Sequence, residues 1–235
     1  MVRRYPTCLF AVALLLLATG RVVSEDKARP VVKVVVDTSE VPEVAAWGKK
    51  AKALVETWHP KVSDLLKSDG FSPPTEVKIV FKKEMKGVAF ASGKTITIAS
   101  SWIEKHPDDW GMVVHELTHV VQAYPPGGPS WLIEGIADYV RFIHYEPKTR
   151  IDIDTKKASY RDSYRTSAKF LGWVEKTHDK AIVRKLNAAL RKGKYKDELF
   201  ETYTKKTLDQ LWTAFLVAEE RKRSCPAPRH ECQKE

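Results

Sequence analysis

The chain has 235 residues, 43% of them hydrophobic and 30% charged, with a formal net charge of +10. No internal repeat or low-complexity run interrupts it, which suits one globular domain with a real core and excludes a repeat array. Its one long apolar run is shorter than the roughly 20 residues a membrane-spanning helix needs, so no membrane anchor is expected.

That run, Leu9 to Ala18, follows Arg3 and Arg4, and Val22-Val23-Ser24 supplies small residues before Glu25. A charged start, a short apolar middle and a small-residue exit read as a secretory signal over residues 1–24. The mature protein is expected to be soluble and exported. Loss of Arg3, Arg4 and Arg21 would leave it at about +7. The remaining lysines and arginines are spread along the chain and read as solvated helix faces. No basic motif with interleaved aromatics is present, so nucleic acid is not an expected partner.

Val31–Asp37 is continuous and β-branched, hence a strand. Pro42 to Ser68 carries Trp47, Ala51, Leu54, Val55, Trp58, Val62 and Leu65 at helical spacing, with a kink expected at Pro60. Val77, Ile79 and Phe81 alternate with polar residues, so Glu76–Lys82 is a half-buried strand. Gly87–Ser92 and Lys94–Ala99 form a hairpin turning at Ser92-Gly93. Helices follow at Pro107–Ala123, Ser130–His144, Ser163–His178, Lys180–Lys192 and Thr207–Lys222. Strands first and helices afterwards make the fold class α+β, with a small N-terminal mixed sheet and a mainly helical second half. The single domain is expected over residues 25–223. Residues 224–235 form a tail whose Cys225 and Cys232 read as one disulfide, the alternative being two free thiols.

The chemistry lies in His115-Glu116-Leu117-Thr118-His119. Residues advance by roughly 100° around a helix, so His115 and His119 stand about 40° apart and can share one divalent metal. Glu116 sits beside that metal without ligating it, where a general base for water must stand. Leu117, Val113, Val114, Val120 and Val121 gather on the far side. After the tight connector Pro125–Pro129, the next helix repeats the layout, with Glu134 and Asp138 on one face and Leu132, Ile133, Ile136, Tyr139, Val140 and Ile143 on the other. Gly135 and Ala137 allow close backbone approach. Glu134 is the expected third ligand, and Asp138 the acceptor that orients a histidine ring through its other nitrogen. A third histidine ligand is not expected, because Gln122 and Pro125 stand where a metzincin needs glycine and histidine.

These residues resemble the basic secretory protein family, known from plants and also found in bacteria and other lineages, within the gluzincin-like metallopeptidases. The resemblance is carried by VVVDTSEVPE (34–43), VKIVFKKEMKGV (77–88), HPDDWGMVVHELTHVVQ (106–122), WLIEGIADYVRF (131–142), SYRTSAKFLGWV (163–174) and the stretch 186–200, nearly the whole mature chain. It implies a thermolysin-like core, one Zn2+ on His115, His119 and Glu134, and catalysis through Glu116. By the same template a phenol or imidazole stabilises the oxyanion. Tyr164 is the candidate, with Tyr160 and His178 behind it. The Cys225–Cys232 tail is not a recognised feature of the family.

The expected function is therefore that of a secreted zinc metallopeptidase acting on a peptide or protein substrate, as a monomer. Strand Lys94–Ala99, read as a sheet edge, is a candidate platform for an extended peptide. The alternatives are a non-catalytic, defence-type binding protein retaining a structural zinc site, and zinc hydrolysis of a non-peptide bond.

Overall fold

The computed structural model describes residue 1, residues 31–162 and residues 164–224. Apart from Met1, the expected signal lies outside the described residues, as do Cys225 and Cys232. The α+β expectation holds: a mixed four-stranded sheet is combined with eight α-helices among the described residues.

The strands are β1 (Lys33–Asp37), β2 (Glu76–Lys82), β3 (Ala89–Ser92) and β4 (Thr95–Ala99), in the order β1-β2-β4-β3. β1 pairs parallel with β2, which requires a crossover, and α1 (Ala45–Leu65) provides it. α1 is preceded by a 3-10 turn at Pro42–Val44 and runs on through Pro60. In β2 the alternation is realised as anticipated, with Val77, Ile79 and Phe81 buried.

β3 and β4 form the expected hairpin, with Ser92 opposite Thr95. Gly93 takes a φ of +57° at the first loop position, a conformation that costs glycine little. One expectation is corrected here. β4 is not a sheet edge, because it pairs with β2 on one side and β3 on the other. Its Ile96, Ile98 and Ala99 are fully buried. The edges are β1 and β3, and Phe90 of β3 is half exposed. Two short helices were also not anticipated, α2 (Ser100–Lys105), which follows β4 directly, and α7 (Glu198–Thr204).

α3 (Trp110–Gln122) occupies the centre, against α1, β3 and β4. From Gly111 to Gln122 every residue except His119 is buried. Asp109 starts this helix by accepting a hydrogen bond from the Met112 N–H at 3.3 Å. It also accepts from the Trp102 indole at 3.0 Å and from Arg141 at 2.7 Å, so the helix start is tied to two neighbouring elements. α4 (Ser130–Tyr139) follows the proline-glycine connector and continues as a π-helical turn at Val140–Tyr145.

α5 (Tyr164–Thr177) lies along α4. The close approach foreseen at Gly135 is real: a Cβ there would stand 2.6 Å from the Cβ of buried Ser167. Because a Cβ moves only with its backbone, Gly135→Ala is expected to push α4 and α5 apart and cost roughly 1–3 kcal/mol of stability. Chemical denaturation should show the lower midpoint, and an unchanged midpoint would contradict the packing. α6 (Ile182–Arg191) and α8 (Leu208–Ser224) complete the helical half, where Phe170, Phe200 and Phe215 are buried side by side. Among the described residues no helix is long and apolar enough to cross a membrane.

Candidate metal centre

α3 and α4 present their polar faces to one open cleft of about 1380 Å³. β3, the Pro125–Gly127 connector and the start of α5 complete its walls. His115, Glu116, His119, Glu134, Asp138 and Tyr164 all line it, so the structure brings together every residue of the expected site.

Three donor atoms converge there. His115 Nε2 lies 3.2 Å from Glu134 Oε2, His119 Nε2 lies 3.3 Å from the same oxygen, and the two imidazole nitrogens are 3.1 Å apart. These three residues could hold one metal ion. Asp138 Oδ1 stands 2.6 Å from His115 Nδ1, on the far side of that ring from the convergence point. This is the orienting contact anticipated from the spacing.

The electrostatics follow from burial and proximity. Burial works against a charged Glu134, but hydrogen bonds from both imidazoles outweigh it and hold the carboxyl at about 2. Burial likewise disfavours the His115 imidazolium. Hydrogen bonds to Asp138 and Glu134, with the charge of Glu116, reverse the sign and raise the group to about 9. Glu116 is pushed up from the ordinary glutamate range, chiefly by burial, with the two imidazoles and the Ala91 backbone N–H opposing the rise. A carboxylate raised in this way is a stronger proton acceptor.

Tyr164 stands at the first position of α5, half exposed, with its ring 6.1 Å from that of His115 at an interplanar angle of 25°. Its φ of +50° is a left-handed conformation uncommon for a side-chain-bearing residue. The Glu134 carboxylate, with some burial, pushes its phenol above the usual range, so Tyr164 remains an O–H donor at neutral pH. The two reserve candidates stand elsewhere. Tyr160 is buried against Trp131 and donates to Asp209 at 3.3 Å, and His178 packs beside Trp173 and Thr177; neither lines the cleft.

The sequence profile of a family described as peptidases of plants and bacteria (BSP) matches residues 41–215. The chain belongs to that family. This is the basic secretory protein family whose motifs it carries, and the match spans both helices of the candidate site. No curated protein and no solved structure matches the chain.

Two polar residues of the cleft, Gln122 and Arg141, and one that closes the end of its central helix, Arg191, are absent from the sequence reading of the site. Gln122 Oε1 lies 2.7 Å from His119 Nδ1. It stands seven positions after His115, about 20° from it around the helix. A polar side chain on the histidine face of an otherwise apolar last turn was the available signal. Arg141, on the cleft wall, bridges Asp109 and Glu146 at 2.7 and 3.1 Å. Arg191 closes the other end of α3, donating to the carbonyls of Val121 at 2.9 Å and Gln122 at 3.1 Å while its guanidinium stacks on Phe71. A cation there complements the negative end of the helix dipole. Nothing in the local sequence links the two arginines to the motif, since they are brought in by tertiary packing.

Proposed function

We propose that the protein is a secreted, zinc-dependent metallopeptidase with a thermolysin-like arrangement of its active site. The observation that carries the reading is the convergence of His115 Nε2, His119 Nε2 and Glu134 Oε2 within 3.3 Å of one another, with Glu116 buried in the same cleft. A tetrahedral ion with bonds of about 2.0–2.2 Å keeps its ligand atoms roughly 3.3–3.6 Å apart, and three protein ligands leave one position open. Two imidazoles and one carboxylate are a donor set that suits zinc.

When bound, zinc supplies Lewis acidity, activating water and polarising a carbonyl at neutral pH. Glu116 takes the proton from the attacking water onto its carboxylate and returns it to the leaving amine. Tyr164 donates its phenolic hydrogen to the substrate oxygen that gains negative charge. Asp138 holds the His115 ring in register. A site built only for structure has no use for a buried carboxylate beside its ligands.

The peptide substrate pairs with β3, the exposed sheet edge that borders the cleft and whose Ala91 N–H faces Glu116. The leader over residues 1–24 directs export.

Chelation of the purified protein is expected to abolish cleavage of casein or of a peptide library, and one equivalent of zinc to restore it. Full activity after verified metal removal would refute metal dependence. Zinc-loaded protein inert towards the whole library would refute the peptidase reading.

A further inference from the structure

Gln122 is 99% shielded from solvent, and two of its side-chain hydrogen bonds constrain each other's directions. Its Nε2 lies 3.0 Å from the backbone carbonyl of Ile133, in the first turn of α4 and adjacent to Glu134. A carbonyl only accepts, so the NH2 end of the amide must face Ile133. The oxygen end therefore faces His119 Nδ1, 2.7 Å away, and a carbonyl oxygen there requires a proton on Nδ1. In a neutral imidazole the other nitrogen, Nε2, then carries the lone pair. That nitrogen is the one aimed at Glu134 and His115.

We infer that Gln122 is a positioning residue for the metal, fixing the tautomer and orientation of His119 through an amide whose own orientation is dictated by the Ile133 carbonyl. The site is thereby asymmetric. His115 is oriented by a carboxylate, Asp138, and His119 by a neutral amide. The same amide joins the last turn of α3 to the first turn of α4, so it sets the position of the Glu134 backbone as well as the ring of His119. A tie between helices alone would need only the Ile133 bond, and the contact to His119 would then be dispensable.

This inference rests on the metal-site reading but not on peptide hydrolysis, and its test reads binding and tautomer. Zinc affinity of the full-length protein would be measured by chelator competition at fixed pH for wild type, Gln122→Met and Gln122→Glu. The 15N and 1H signals of His119 would be recorded on the zinc-loaded forms. Gln122→Met keeps the volume and removes the acceptor. It is expected to weaken zinc binding 10- to 100-fold and to lose the protected Nδ1–H signal. Gln122→Glu keeps an acceptor for Nδ1–H but gives up the bond to the Ile133 carbonyl, so it is expected to retain that signal while binding zinc more weakly than wild type.

An unchanged affinity and Nδ1–H signal in Gln122→Met would overturn the inference while leaving the metal site intact. A Gln122→Glu protein that loses the signal would also overturn it. Should Gln122→Met fail to fold, the Gln122→Glu signal decides alone. Wild-type protein that binds no zinc would remove the metal-site reading and this inference with it.

Discussion

Replacing Glu116 by glutamine is expected to lower peptide hydrolysis by about 10²–10⁴-fold while zinc content remains at one per chain. The substitution keeps the size of the side chain and removes its ability to take up a proton. Glu116 is buried at the cleft and does not belong to the converging donor set, so metal retention follows from geometry. Metal analysis and a library assay on wild type and variant, run in parallel, check both halves. Zinc-loaded Glu116→Gln with wild-type turnover would remove Glu116 as the base. Loss of zinc in the variant would mean that Glu116 is a ligand.

The second large effect is on metal uptake, and it runs through pH. His115 is raised to about 9 because Asp138 and Glu134 favour its protonated form more than burial disfavours it. In metal-stripped protein zinc must therefore displace a proton from His115. Apparent affinity should fall by about tenfold for each pH unit below 9, or roughly a hundredfold from pH 8.5 to 6.5. The stability of the stripped protein carries the opposite sign. A folded-state value above the ordinary 6.5 contributes stability that is fully present below 6.5 and is lost as pH rises through 9. Competition titrations and thermal melts across this window read both trends. A pH-independent affinity would show that His115 is neutral before zinc arrives.

Much of this site was legible in the chain because it is local. The three donor residues lie between positions 115 and 134, on two helices joined by a short connector, so helical periodicity alone puts their side chains on facing surfaces. Asp138 follows for the same reason, one turn beyond Glu134. What periodicity does not encode is who lies beside whom. β4 reads as an edge strand because Thr95 and Thr97 alternate with Ile96 and Ile98, yet Thr97 is itself nearly buried once β2 and β3 flank it. The order of strands in a sheet is a tertiary choice. α2 escaped notice because β4 runs into it without a break, and no side chain caps its first turn. Gln122 is a different case, since helical periodicity alone puts it on the histidine face, seven positions after His115. Arg191 had no signal, being 69 positions from the helix end it closes.

The left-handed backbone at Tyr164 also bears on how this position can vary. A φ of +50° excludes valine, isoleucine and threonine on steric grounds and favours glycine, asparagine, aspartate and histidine. Within that short menu only histidine also brings a ring that donates a hydrogen bond. Tyrosine is outside that menu, so Tyr164→His is the replacement that relieves the backbone and keeps the proposed donor.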